Sequence, residues 1–205
     1  SILSTPEYDL PTSNSELATI DHNGHVVDGV KLNMDTFDQV SHYHINMAMM
    51  LQLGDWFDYL RELGGYDNTR IIIVADHGRG LGHLDSLITK GLLEGEDWDA
   101  EWVNPLLMVK DFGSTGEFQT SYEFMTDADT PSIALEEIVD DPVNPYTGNA
   151  INMDEKTTQD QVITTSHNWH PDTQQHGNVF DTSDSGWVSV HDDIYDSNNW
   201  SYLGM

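Results

Sequence analysis

The chain has 205 residues, enough for a domain with a sizeable core, and sets 36 aspartates and glutamates against 7 lysines and arginines, a formal net charge of −29. Binding nucleic acid means neutralising phosphates with clustered Lys and Arg, so this balance argues against nucleic acid and anionic lipid surfaces as partners. It favours solubility, cation binding and a salty or acid-exposed setting, with most of the carboxylates read as solvated surface.

There is no cysteine, which excludes disulfides, Cys-ligated zinc and any cysteine-derived nucleophile within the chain. No apolar run approaches bilayer length and no signal peptide is visible. Ser1 is not a natural initiator, so the chain reads as a processed piece.

Residues 1–36 read as loop, broken by Pro6, Pro11, Gly24 and Gly29. His22 and His25 lie in it, and solvated loop histidines are the default. From Phe37 to about Leu63 the pattern turns helical. Val40, Tyr43, Met47, Met50, Leu51, Gly54, Phe57 and Leu60 recur at three- and four-residue steps and predict one apolar stripe. Asp35 or Thr36 is the expected cap, and Gly64-Gly65 the stop. His42 and His44 are two apart and do not share a helix face, which weighs against a metal role for the pair.

After the Asp67-Asn68 turn, Ile71-Ile72-Ile73-Val74-Ala75 run without alternation and stop at Asp76-His77-Gly78. Such a run predicts a strand buried on both faces, as in a parallel sheet under helices. In open α/β sheets ligand sites lie beyond the carboxyl ends of strands. Asp76 and His77 are placed there, with Gly78 free to turn the backbone. A carboxylate and an imidazole side by side supply half of a divalent-metal site. The competing reading is a simple turn with Asp76 as a local cap.

The wider stretch from Leu53 through Gly80, with Gly65-Tyr66-Asp67-Asn68-Thr69 before the strand and Asp76-His77-Gly78 after it, resembles the alkaline phosphatase/sulfatase superfamily. It is most similar to the lipoteichoic-acid-synthase-like sulfatase branch of bacterial envelopes. The resemblance implies that Asp76 and His77 are ligands of a divalent cation (Mn, Zn, Mg or Ca). It also implies an acidic ligand, a Thr or Ser nucleophile and a substrate histidine in sequence preceding Ser1. Pro6-Glu7-Tyr8-Asp9-Leu10-Pro11 resembles the segment that follows that histidine.

Arg79-Gly80-Leu81-Gly82-His83-Leu84-Asp85 is glycine-rich and expected to be flexible. The resemblance places this loop beside the active site, where Arg79 would meet a substrate anion bidentately and His83 would act as acid, base or substrate contact. An ordinary surface role is the alternative for each. Glu94 to Glu101, with Trp98 and Trp102, reads as an acidic surface excursion anchored by its indoles. Leu106–Val109 is a second buried-strand candidate. Thr130-Pro131-Ser132 opens a helix carrying Ile133, Leu135, Ile138 and Val139, closed by Asp140-Asp141-Pro142. Beyond Pro145 the chain is polar and aromatic, with Gln161–Thr165 and Trp187–Val190 as candidate edge strands. The tail resembles elements near the end of the same branch, and His167 is its best-placed substrate contact, beside His170 and His176.

These readings predict an α/β fold: a partial, mainly parallel sheet flanked by helices, with an irregular polar C-terminal region. One sulfatase-like domain portion is expected, with a loop over 1–36, an α/β core over 37–140 and a tail over 141–205 packing on the core. The function expected is that of the C-terminal part of a metal-dependent envelope sulfatase or phosphoglycerol transferase, inactive as this chain alone. The alternative is a non-catalytic glycan- or protein-binding module derived from the same family. Expected partners are the missing N-terminal half and an anionic envelope polymer or a sulfate or phosphate ester. No nucleic acid is expected, and membrane contact comes only through segments outside the chain. The setting implied is the extracellular face of a bacterial envelope.

Overall fold

The computed structural model describes Ser15 and residues 25–27, 29–151, 160–164 and 186–204. Two compact units form, one from Ser1–Asp85 with Glu101–Phe118, the other from Ser86–Ala100 with Gln119–Met205.

In the first unit a short hairpin, β1 (Val26–Val27) with β2 (Val30–Lys31), leads into helix α1 (Phe37–Glu62). The helix starts where its sequence says it should. Thr36 is extended and accepts from the Gln39 N–H at 3.2 Å, while the Thr36 N–H donates to Gln39 Oε1 at 3.0 Å. That reciprocal pair is a capping box. At the other end Gly64, at φ +69, supplies the left-handed residue that closes the helix. The buried residues of α1 are Gln39, Val40, His44 and Ala48. Beyond Ala48 apolar side chains recur all round the helix, so no single face claims them, and Leu51, Trp56 and Tyr59 are exposed.

Strand β3 (Ile71–Val74) pairs with β6 (Leu107–Lys110), and the pairing is antiparallel, Ile71 opposite Lys110 and Val74 opposite Leu107. The expected mainly parallel sheet is therefore corrected: every strand pairing among the described residues is antiparallel. The reason lies in the connection. A parallel return needs a crossover, usually a helix, and between Val74 and Leu107 the chain carries two 3₁₀ turns and the hairpin β4 (Ile88–Leu93) and β5 (Glu96–Asp99). The unbroken Ile/Val run misled for a second reason. Ile71 is buried but Val74 is 43 % exposed, so the run reflects the fit of β-branched residues to a pleated strand rather than burial on both faces. Lys110 sits in β6 because its Nζ caps the preceding turn, donating to the carbonyls of Tyr66 and Thr69.

In the second unit, β4 and β5 turn on Glu94 and Gly95, both at positive φ, the backbone signature of a tight two-residue hairpin. Strands β7 (Gln161–Thr164), β8 (Trp187–Val190) and β9 (Trp200–Gly204) form an antiparallel sheet in that order. β8 is thus central rather than an edge, which explains why Val188, Ser189 and Val190 are buried. Trp98 of β5 meets Trp200 of β9 edge to face at 5.2 Å, and both are buried. Helix α2 (Thr130–Leu135) opens at Thr130-Pro131 as expected but ends early, with Glu137 at positive φ and Ile138 and Val139 exposed. No described helix is long and apolar enough to cross a membrane, and the membrane expectation is corrected to that extent for these residues.

Candidate functional site

Ala75 makes the last rung of the β3–β6 ladder, its N–H on the Leu106 carbonyl at 2.9 Å. Asp76 and His77 then leave the sheet, with side chains 92 % and 69 % exposed. The His77 N–H donates to Asp76 Oδ1 at 3.1 Å. His77 Nδ1 lies 2.6 Å from the Gly78 carbonyl. A carbonyl only accepts, so Nδ1 is the donor of this contact and Nε2 is the ring nitrogen left free of the backbone. Nε2 stands 3.9 Å from Asp76 Oδ1 and opens to solvent. Fixing the tautomer through a backbone carbonyl is how proteins orient an imidazole that must use its other nitrogen.

The loop that follows is held by close packing and hydrogen bonds on both sides. A Cβ on Gly78 would lie 1.9 Å from the Glu101 carbonyl oxygen, and one on Gly80 would lie 2.1 Å from the Trp102 indole nitrogen. Both glycines are there because the backbone presses on the turn at Ala100–Val103, and Gly78 bonds to it through its N–H on the Trp102 carbonyl at 3.0 Å. From the other side, Gln39 Nε2 donates to the Leu81 carbonyl at 2.8 Å, and Asn33 Nδ2 to the Gly82 carbonyl at 2.8 Å and to Asp85 Oδ1 at 3.0 Å. The Asn33 N–H donates to the His83 carbonyl at 2.9 Å.

Glu101 is the centre of this arrangement. Its side chain is 9 % exposed, and it accepts the N–H of Leu84 at 2.7 Å and of Leu81 at 3.2 Å. His83 Nδ1 lies 3.4 Å from its Oε2, while His83 Nε2 lies 3.1 Å from the Gln39 carbonyl oxygen. Burial works to raise the Glu101 pKa, but the hydrogen bonds from the His83 ring and the N–H groups of Leu84, Leu81 and His83 outweigh it and hold the carboxyl below the ordinary glutamate range. His42, on α1, brings its ring to 5.7 Å from that of His83. Burial first, then the charges of His83 and Arg79, hold the His42 imidazole below its ordinary basicity, with Glu101 opposing them.

The structure thus brings Asp76, His77, Arg79 and His83 into one segment and separates their roles. Asp76, His77 and Arg79 are exposed, whereas His83 is turned inward with both ring nitrogens facing acceptors. His167, with His170 and His176, lies outside the described residues. His25 is buried, its ring 4.7 Å from Tyr43, not solvated as expected for a loop histidine.

The donor chemistry of Asp76 and His77 fits a divalent cation, but the count does not. No group of three or more His, Cys, Asp or Glu side chains capable of holding a metal forms among the described residues. Metal binding as a property of these residues alone is corrected accordingly. A shallow cavity of about 350 Å³, lined by Arg61, Gly64, Tyr66, Asp67, Ser114, Thr115 and Gly116, lies at the opposite end of β3 and holds none of these groups.

Sequence reasoning missed Glu101, Gln39, Asn33 and His42. Gln39 alone left a signal, since a glutamine three residues after Thr36 is the capping-box spacing. Comparison with known protein families, curated proteins and solved structures returns no match for the chain.

Proposed function

We propose that this chain is the C-terminal part of an enzyme that cleaves or transfers sulfate or phosphate esters, with Asp76 and His77 lining the reaction site. The observation that carries the reading is the pair itself: two exposed donor groups at a strand end, the imidazole held with Nε2 away from the backbone, on a loop packed closely at Gly78 and Gly80. Preorganised groups of this kind contribute most to catalysis, because nothing has to reorganise when the ester reacts. A divalent cation held there jointly with ligands beyond the described residues would polarise the ester oxygen and activate a hydroxyl. His77 would hold that cation through Nε2 together with Asp76, and Arg79 would face the anionic group. The family resemblance adds the substrate class, an anionic envelope polymer, and an extracellular setting.

The test is turnover by the natural protein that carries this chain, with aryl sulfate and phosphodiester substrates across Mn²⁺, Mg²⁺, Zn²⁺ and Ca²⁺. Asp76→Asn and His77→Ala should each abolish metal-stimulated turnover, and residues 1–205 alone should show none. Turnover indifferent to both substitutions would overturn the proposal.

A further inference from the structure

The cavity at the opposite end of β3 from Asp76 lies wholly within the first unit and takes no part in the chemistry proposed above. Its walls come from two stretches far apart in sequence, the end of α1 through Asp67 and the turn Ser114–Gly116 that follows β6. Backbone bonds join them. The Gly113 N–H donates to the Asp67 carbonyl at 2.8 Å, and Lys110 Nζ donates to the carbonyls of Tyr66 and Thr69. Ser114 Oγ donates to the Asp111 carbonyl at 2.8 Å and fixes the turn. Arg61 lies over the Tyr66 ring, its guanidinium carbon 4.0 Å from the ring centroid, and Lys110 Nζ is 4.3 Å from the same centroid.

The lining selects a class of ligand by exclusion. An apolar ligand would find only Tyr66, whose ring already carries two cations. Against an anion stand the Asp67 carboxylate in the wall, the Asp58 carboxylate that matches Arg61 at 2.6 Å, and a formal charge of −29 on the chain. A metal ion would find one carboxylate where it needs several ligands. What remains is a neutral ligand that both donates and accepts. A carboxylate only accepts, and no described donor reaches that of Asp67. A guanidinium only donates, and Nη1 is the one Arg61 nitrogen bonded to a described acceptor. The Thr115 hydroxyl does both and is equally unengaged by the described residues. We propose that this cavity binds one pyranose unit of a glycan, through adjacent ring hydroxyls that donate to Asp67 and accept from Arg61.

Size agrees with the chemistry. At about 350 Å³ the cavity is at the small end of ligand pockets, which run from about 300 to 1,000 Å³. It takes a single ring, and its shallow form leaves the neighbouring sugars in solvent. The polar groups are set before the ligand arrives. Asp58 and the Tyr66 ring hold Arg61 from two sides, and the backbone bonds between Asp67 and Gly113 and between Lys110 and Tyr66 fix the walls. Binding then loses little to the ordering of side chains, a cost that would otherwise consume the gain from a few hydrogen bonds. The pyranose site needs neither Asp76 nor His77 and does not rest on the ester chemistry assigned to them.

The test titrates methyl α-glucopyranoside, methyl α-mannopyranoside and methyl α-galactopyranoside into the 205-residue chain, with the amide resonances of Gly64, Thr115 and Gly116 as readout. We expect a saturable shift of these amides with at least one glycoside, at a Kd on the order of 1 mM, while the amides of β8 stay still. Asp67→Ala and Arg61→Ala should each weaken that binding about tenfold or more, the loss of a hydrogen bond to a charged group. Thr115→Trp fills the cavity and should abolish binding. Thr115 is exposed, so the thermal midpoint of that variant should match wild type, and its loss of binding cannot be a loss of fold. Glu96→Gln removes an exposed carboxylate of the second unit and should leave binding unchanged. Three still amides with every glycoside would overturn the site, as would undiminished binding in Thr115→Trp or Asp67→Ala. Inorganic phosphate that moves the same amides at lower concentration than any glycoside would make it an anion site and overturn the neutral ligand. Glycerol bound as tightly as the best glycoside would overturn the ring.

Discussion

Glu101→Gln is the sharpest perturbation of the loop. The carboxylate accepts on both oxygens: Oε1 takes the Leu84 N–H at 2.7 Å, and Oε2 takes the Leu81 N–H at 3.2 Å with His83 Nδ1 at 3.4 Å. A glutamine has the same size but one acceptor oxygen. If that oxygen keeps Leu84, its NH₂ confronts the Leu81 N–H and the His83 ring, donor against donor. A hydrogen bond to a charged group contributes about 1.5–3 kcal/mol, and a buried donor left unmade costs about 1–3 kcal/mol. We expect a net loss of about 3 kcal/mol, the upper end of both ranges, concentrated in the first unit. At 2–4 °C per kcal/mol for a chain of this size, the midpoint should fall by about 6–12 °C. Amide exchange at Leu81 and Leu84 should speed up while amides of β8 stay protected. The pH dependence has a definite sign. Glu101 is held below its ordinary pKa in the folded state, so its contribution is present above the ordinary glutamate value of about 4.3. It is lost as pH falls through the folded value. Wild type and variant should therefore differ at pH 7 and converge in acid. A Glu101→Gln protein with wild-type stability and unchanged Leu81 and Leu84 exchange would refute the placement of Glu101 at the centre of the loop.

Gly78→Ala should destabilise more than Gly80→Ala, because the new Cβ meets the backbone oxygens of Glu101 and Asn104 in the first case and a movable indole in the second. Overpacking typically costs about 1–3 kcal/mol. Gly80→Ala should fall within that range and Gly78→Ala at its top or beyond, read as shifts in denaturant midpoint. Asp76→Asn and His77→Ala, exposed and beyond the sheet, should each change stability by no more than about 0.5 kcal/mol. A large loss in thermal unfolding for either would assign the pair a structural role instead.

Helix α1 was legible because two independent signals agreed, the cap at Thr36 and the stop at Gly64-Gly65, and both are local. The strands β3 and β6 were legible for the same reason, their β-branched runs. Their relative direction was not. Direction is decided by what connects two strands, and the hairpin of β4 and β5 inside that connection was hidden by its acidic composition. The run from Glu94 to Asp99 looks like solvent-facing surface anchored by indoles, and Trp98 is buried as that reading expects while Trp102 is exposed. Glu101 was illegible in the same way. One more carboxylate in an acidic stretch carries no mark of burial, and its partners Leu81 and Leu84 lie far back in the chain. Asp76 and His77 were placed correctly at the strand end because the apolar run stops there. The close packing of the loop after them was not legible, since glycines that permit close packing look the same in sequence as glycines that permit motion.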